Sequence, residues 1–389
     1  MALVPLSYNL RSLLVRRSAT LLTVLGIGAT VAVVSGVLAL QQGFERLFAE
    51  SGREDLLVVL RKGATDEGGS VITRAQADTL VKSSTEIAVD PNGRPEASLE
   101  SYLAVRRPKL DGGETNVPIR GVQQATFRIR GERLKIVEGR RFEMGADEVM
   151  VGRKLIGRIQ DCGLGQVIVF NTTPFRVVGV FDYDGPFSSE IWGDVDRFAE
   201  ALERKVYNRA ILKLAPGVTV EQFSRHLEDD LQLPSDVLTE RDFLMGQTRA
   251  LSNMLLFLGG VLGLIMGIAA IFTATNTMLA ALAARTHEIG ILLSIGFRPI
   301  TIFCSFLFEA ILLCLLGGLV GCLITLPLHG IETGTINYQT FTEVAFAFQV
   351  TPRVLLVAIS FSTLLGLLGG AWPAWRAARL APTVALRRH

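Results

Sequence analysis

The sequence predicts a membrane protein in which four transmembrane α-helices carry a large α+β extracytoplasmic domain, inserted between the first helix and the second. Three observations predict this class. Of the 389 residues, 49% are hydrophobic, and the mean hydropathy of +0.39 is high for a soluble enzyme of this length. Charge is concentrated between residues 41 and 249, with apolar runs long enough to cross a hydrocarbon core on both sides of that region. Lys and Arg gather on alternate connecting segments, as the positive-inside rule requires of an oriented multi-span chain. The net charge of +2 adds nothing, and no feature points to a nucleic-acid partner.

Residues 1–17 place Leu3, Leu6, Leu10, Leu13 and Leu14 beside Arg11, Arg16 and Arg17, the pattern of an interfacial amphipathic helix. Residues 18–40 carry no charge and span about 34 Å as a helix, enough for a first crossing. The run is longer than the apolar core of a signal peptide, so we read it as an anchor. The N-terminal arginines keep that end cytoplasmic, which places residues 41–247 outside.

That outer region reads as a soluble fold in two parts. An α+β platform is expected from residues 41–116 and 200–247, and a mainly β subdomain from the inserted residues 117–199. The platform echoes itself. A strand at 56–60 precedes a helix capped by Thr73, and a strand at 210–214 precedes a helix capped by Thr219. In the insert, strands are expected at 148–151, 166–170 and 175–181, the last two forming a hairpin through Asn171, Thr172, Thr173 and Pro174.

Residues 248–284 form an apolar run too long for one simple crossing, so its helix should start outside the bilayer, near Phe243, and enter it unbroken as the second span. Residues 285–298 interrupt the apolar second half with Arg285, His287, Glu288 and Arg298 around Ile289, Ile291, Leu292, Leu293 and Ile295, punctuated by Gly290 and Gly296. This suits a short cytoplasmic amphipathic helix built to touch something. A third span at 300–328, an outer loop at 329–352, a fourth span at 353–375 and a basic cytoplasmic tail at 376–389 complete the chain.

No GxxxxGK[ST], HExxH or GxSxG sequence occurs, so ATP hydrolysis and these hydrolytic chemistries are not expected of this chain itself. Gly163 and Gly165 precede a strand and read as turn or bulge glycines. The four histidines offer no metal-ligand spacing, and no cofactor is expected. Cys304, Cys314 and Cys322 lie on one apolar run and read as buried packing residues, not a disulfide framework. Small-residue strips recur at Gly259, Gly263 and Gly267, at Gly317 and Gly321, and at Gly366 and Gly370. Such strips serve either dimerisation or packing within one chain. Glu309 is the one acid inside a span and needs a partner, for which Asn276, flanked by Thr273, Thr275 and Thr277, is the candidate.

Together these residues resemble the MacB/FtsX/LolE-type, or type VII, ABC transporter permease subunits, which work by mechanotransmission. The likeness covers nearly the whole chain. RTHEIGILLSIGFRPITIFCSFLFEA resembles the family's coupling segment, WPAWRAARLAPTVALR its closing signature, and IRGV, EGRRF, DEVMVG and PFRVVGVF its extracytoplasmic domain. The resemblance implies a homo- or heterodimer of permease subunits in the bacterial inner membrane, both termini cytoplasmic, with a separate ATPase subunit holding ATP and Mg²⁺. A periplasmic adaptor and an outer-membrane protein belong to its efflux branch, and membrane lipid surrounds it in every branch. By the same resemblance Arg285, Glu288, Ile289, Gly290, Leu292, Leu293 and Gly296 dock the ATPase, and the second span acts as a stalk driving export or the extraction of lipoprotein or lipid. The alternative is an FtsX-like transmitter that activates an outer partner without transport. The departures are His287, which stands where a more strongly charged residue is usual, and the ATPase domain fused to macrolide exporters, which is expected here on another subunit.

Overall fold

The computed structural model describes residues 17–49, 51–83, 85–183, 185–229, 234–336 and 343–381. Of the expected interfacial helix only Arg17 is described, and of the basic tail only residues 376–381. The chain divides into two compact units, one of Met1–Gly43, Asn253–Ile331 and Ala347–His389, the other of Phe44–Ser252 and Glu332–Phe346.

Four helices are long and apolar enough to cross a membrane: α1 (Arg17–Ala49), the 45-residue α6 (Glu240–Ala284), α8 (Pro299–Thr325) and α9 (Pro352–Ala378). Glycine lets them approach closely. A Cβ on Gly317 would meet the Ile27 side chain at 2.7 Å, and one on Gly321 the Gly28 carbonyl oxygen at 2.7 Å, so α8 lies tight against α1. A Cβ on Gly366 would come within 2.9 Å of Ile311 Cα, and one on Gly370 would collide with Ala310, which brings α9 onto α8. On α6, Gly259 faces Val37, Gly263 faces Val34, and Gly267 faces Phe361 and Leu365. Each strip thus has a packing role within the chain. Ser35 and Thr325 share a buried hydroxyl hydrogen bond of 2.6 Å across α1 and α8. Cys314 and Cys322 are buried in this packing as expected, but Cys304 is exposed, because its position on α8 turns away from the other helices.

In the other unit, β1 (Leu57–Arg61) leads to α2 (Arg74–Ser83), and β9 (Arg209–Leu212) to α5 (Val220–Asp229). Both helices open with a capping box. Thr73 Oγ1 accepts from Gln76 N at 3.3 Å while Gln76 Oε1 accepts from Thr73 N at 3.0 Å, and Thr219 and Gln222 repeat both bonds. A strand not read from the sequence, β10 (Ser235–Thr239), pairs with β1 and runs directly into α6.

The long hairpin of β2 (Ala97–Pro108) and β3 (Glu114–Val122) joins this platform to the inserted strands. Residues 97–100 of β2 pair with β9 and residues 101–108 with β3. The two expected subdomains therefore share one strand. Beyond β3 the sheet continues through β8 (Ile191–Asp194), β5 (Glu148–Gly152), β7 (Thr173–Asp182) and β4 (Lys135–Gly139), and β6 (Val167–Phe170) pairs with β7. The β6–β7 hairpin turns on Asn171, held at φ 54°, a left-handed conformation that Asn tolerates. Each part has its own apolar core, one around Val59, Leu80, Ala210 and Phe223, the other around Val151, Phe175, Ile191 and Phe198.

The segment expected as an outer loop forms a second small sheet of β11 (Glu332–Ile336) and β12 (Glu343–Ala347). Residues 332–346 belong to the same unit as the large sheet. Phe346 meets Phe44 with ring centroids 5.4 Å apart, and Lys154 Nζ donates to the Ala345 carbonyl at 3.1 Å.

Between the two cores lies a buried ionic network. Arg120 donates to both Glu190 carboxylate oxygens at 2.7 Å and to Glu67 at 2.7 Å, while Arg209 donates to Glu67 at 2.5 Å and to Glu100 at 2.6 and 2.8 Å. All five residues are no more than 4% exposed. Glu67, Glu100 and Arg209 belong to the platform side and Arg120 and Glu190 to the inserted side, so the network clamps the sheet where the cores meet. Buried ion pairs of this kind are weak sources of net stability, but breaking one is expensive because the survivor is left uncompensated.

Burial alone would raise the Glu100 pKa, but the guanidinium groups of Arg209, Arg130 and Arg120 outweigh it and hold the carboxyl at about 2, below its ordinary 4.5. The group therefore favours the folded state fully above pH 4.5, and that contribution is lost as the pH falls toward 2. Urea unfolding of the solubilised chain, followed by tryptophan emission, should show stability declining through this interval. Glu100→Gln should flatten the decline and cost on the order of 3 kcal/mol at neutral pH.

Candidate functional site

The charged interruption between the second and third spans folds as α7 (Thr286–Ser294), set off at both ends. Arg285 leaves the helical conformation at φ −114° and begins the new helix. At the far end Gly296 adopts φ 104°, which a side chain would strain, and its N–H donates to the Leu293 carbonyl at 3.2 Å. The Phe297 N–H donates to Leu292 at 3.1 Å, and Pro299 then opens α8 at its first turn.

The helix has a held face and a presented face. Ile289 and Gly290 are buried, and Ile289 packs with the half-buried Leu293, Met278 and Leu282 of α6, Ile302 and Phe306 of α8, and Ala374 and Ala377 of α9. His287, Glu288, Ile291 and Ile295 are exposed, Ile295 by 71%. Of the residues expected to dock a partner, Glu288 is thus on the open side, Leu292 is half-buried at its edge, and Gly296 shapes the exit turn. Arg285, Ile289, Gly290 and Leu293 hold the helix in place. Ile291 and Ile295 were not among the expected contacts, although their spacing from Glu288, at i+3 and i+7, marks the same face.

Glu309 pairs with Arg285, not with Asn276. Arg285 Nη1 lies 3.0 Å from Glu309 Oε2, and the two side chains are 12% and 5% exposed. The cause is simple, since a guanidinium offers a carboxyl group in an apolar setting stronger, charge-assisted hydrogen bonds than a neutral amide does. Asn276 is exposed and lines an open groove of about 1100 Å³ with Thr23, Thr273, Thr275, Thr277 and Trp372. Nearby, Thr275 Oγ1 donates to the Gly369 carbonyl at 2.9 Å, and the Thr23 and Thr277 hydroxyls are bonded at 2.7 Å. The Arg285–Glu309 pair therefore ties the start of α7 to the body of α8.

Among the described residues no group of three or more His, Cys, Asp or Glu is placed to hold a metal ion. In the soluble unit, burial pushes the Cys162 thiol up to about 12, which makes it a poor nucleophile. What the arrangement offers is a short helix presenting an acidic and apolar face, anchored by an ion pair and apolar packing to three spans.

Two family models match this chain: a MacB-like periplasmic core domain over residues 20–230 and an FtsX-like permease C-terminal region over residues 259–382. Among curated relatives, the macrolide export ATP-binding/permease protein MacB of Sodalis glossinidius is 28% identical over 407 residues, covering 97% of this chain and 59% of that protein. The MacB of Bartonella quintana is 27% identical over 402 residues, covering 96% and 57%. The chain thus spans less than three fifths of the length of these relatives. Among solved structures, the periplasmic region of MacB from Actinobacillus actinomycetemcomitans aligns at 14% identity with a TM-score of 0.37, covering 50% of this chain and 92% of that one. The extracellular domain of the ABC-type transporter YknZ from Gram-positive bacteria aligns at 12% identity with a TM-score of 0.35, covering 47% and 100%.

Removing either member of the Arg285–Glu309 pair takes a counter-charge from a largely buried group, so Arg285→Ala or Glu309→Ala should each destabilise the helical unit by about 3 kcal/mol. Exchanging the pair, Arg285→Glu with Glu309→Arg, should recover most of that loss. Thermal unfolding of the detergent-solubilised chain measures both, and a Glu309→Ala protein as stable as the unaltered one would rule the pair out as a support of α7.

Proposed function

Because the chain belongs to the MacB/FtsX-type permease family, with a MacB-like periplasmic core domain and an FtsX-like C-terminal region, we propose that it is the membrane subunit of an ABC transporter whose energy comes from a separate ATPase subunit. It is a multi-pass protein of the bacterial inner membrane. In this reading the ATPase docks on the open face of α7, a second permease subunit completes the transporter, and the soluble unit does its work on the periplasmic side. The output is export, or extraction of a lipoprotein or lipid, without passage of cargo through the four helices.

The observation that carries the reading is α6. It begins at Glu240, directly after β10, and continues as one helix to Ala284, one residue before the turn into α7. A single helical element therefore has a sheet strand at one end and the presented face at the other. Helices are stiff along their axis, and here no loop intervenes to absorb a displacement. The size of the soluble unit favours transport over signal transmission, since the core-domain match extends over residues 20–230. The cytoplasmic assignment of α7 and the C-terminal end is supported by Trp372 beneath Arg376 and Trp375 beneath Arg379, with guanidinium-to-ring distances of 5.7 and 4.2 Å, an arrangement suited to a membrane interface rich in Lys and Arg.

Two experiments test this. Glu288→Arg combined with Leu292→Asp should reduce co-purification of the cognate ATPase at least tenfold while leaving the permease folded, and undiminished binding would remove α7 as the docking element. A flexible Gly-Ser insertion after Arg249 lies past the buried Phe243 and Leu244 that root α6 in the soluble unit. It should preserve ATP hydrolysis and abolish the ATP-dependent change in hydrogen exchange of that unit. A persistent change would mean that force does not travel along α6.

A further inference from the structure

We propose that Arg130 and Glu240 form the joint through which movement of α6 reaches the inserted β subdomain. This rests on the stalk reading of α6 given above. Glu240 is the first residue of α6 and is fully buried. Its N–H donates to the Leu56 carbonyl at 2.8 Å, its Oε2 accepts from the Arg53 N–H at 3.4 Å, and its Oε1 accepts from Arg130 Nη1 at 3.1 Å. The root of the helix thus has two different attachments. Toward the platform the route is covalent and backbone, because β10 precedes Glu240 without a loop and pairs with β1 along its length. Toward the inserted strands the directed contact is the Arg130 guanidinium.

Arg130 ends α3 (Gln124–Arg130), the helix that follows β3, and is itself fully buried. Its guanidinium carbon sits 5.0 Å from the Tyr183 ring centroid, 4.5 Å from Phe187 and 5.5 Å from Trp192, and Nη1 also lies 3.1 Å from Tyr183 Oη. Trp192 is on β8, in the middle of the inserted sheet. A displacement of Glu240 is therefore handed to an aromatic cluster rooted in that sheet. The next turn of α6 also approaches the cluster, and there Leu244 and Gln247 line, with Phe187 and Glu190, a cavity of about 30 Å³, room for a water molecule. Packing there is slack. An apolar pair at the root would serve stability as well or better, so the ion pair's contribution in this proposal is its fixed, directional geometry.

The test uses the full chain with its cognate ATPase and compares hydrogen exchange with and without ATP and Mg²⁺. In the unaltered complex, ATP should change exchange in both β1 and the inserted strands β5 and β8. Arg130→Met with Glu240→Leu replaces the pair by apolar side chains of similar volume. That variant should keep its thermal stability, its ATPase docking and the β1 response, while the ATP-dependent change in β5 and β8 falls at least threefold. If it does not fold, Glu240→Gln, which keeps the shape and loses the charge, is read in the same way. An unchanged β5 and β8 response in a folded variant overturns the joint. Absence of any ATP response in the unaltered complex overturns the stalk reading itself, so the two failures are distinct.

Discussion

Arg285 and Glu309 lie largely out of reach of water at one end of the helical unit, and each has the other's opposite charge 3.0 Å away. The same constraint recurs in the soluble unit, where Arg120, Arg130 and Arg209 are surrounded by Glu67, Glu100, Glu190 and Glu240, all nearly inaccessible. Charge taken from water must be paired and hydrogen-bonded or it costs several kcal/mol per group. In both places the pairing joins different elements, neighbouring helices in one case and segments more than a hundred residues apart in the other, and both sets of pairs stand where one element must keep a set position against another. At the head of α7 the pair fixes a helix that offers its outer face. At the root of α6 it fixes a helix that leaves the sheet.

The helical unit itself is held by a different device. Helix association inside a bilayer gains nothing from expelling water, so close backbone approach and short hydrogen bonds take over. Glycines at 317 and 321 let α8 meet α1, those at 366 and 370 let α9 meet α8, and the Ser35–Thr325 hydroxyl bond stitches α1 to α8. α6 is the span with the barest flank, and Phe257, Leu264 and Phe272 on it are exposed. Such a helix is free on much of its surface and anchored at its ends.

Much of this is legible in the sequence. Hydropathy located the four spans, because a run without charge has few other places to go, and Thr73 and Thr219 marked two helix starts through a local bond to a residue three positions on. The hairpin at Asn171 was equally local. The shared strand β2 was not legible, because one half pairs with β9 and the other with β3, and pairing over more than a hundred residues leaves no local trace. Nor was β10, a short strand whose partner β1 lies at the opposite end of the soluble unit's sequence.

The sequence alone determined the class, the family and the position of the presented helix, because these depend on composition, period and short motifs that each segment carries by itself. Only the tertiary structure decided which side of that helix is open, with Ile291 and Ile295 outward and Ile289 inward, since the neighbours that cover a face come from three other helices. It also decided the partner of Glu309. An acid in an apolar run announces that it needs a counter-charge, but which cation reaches it is a matter of distance in the folded chain.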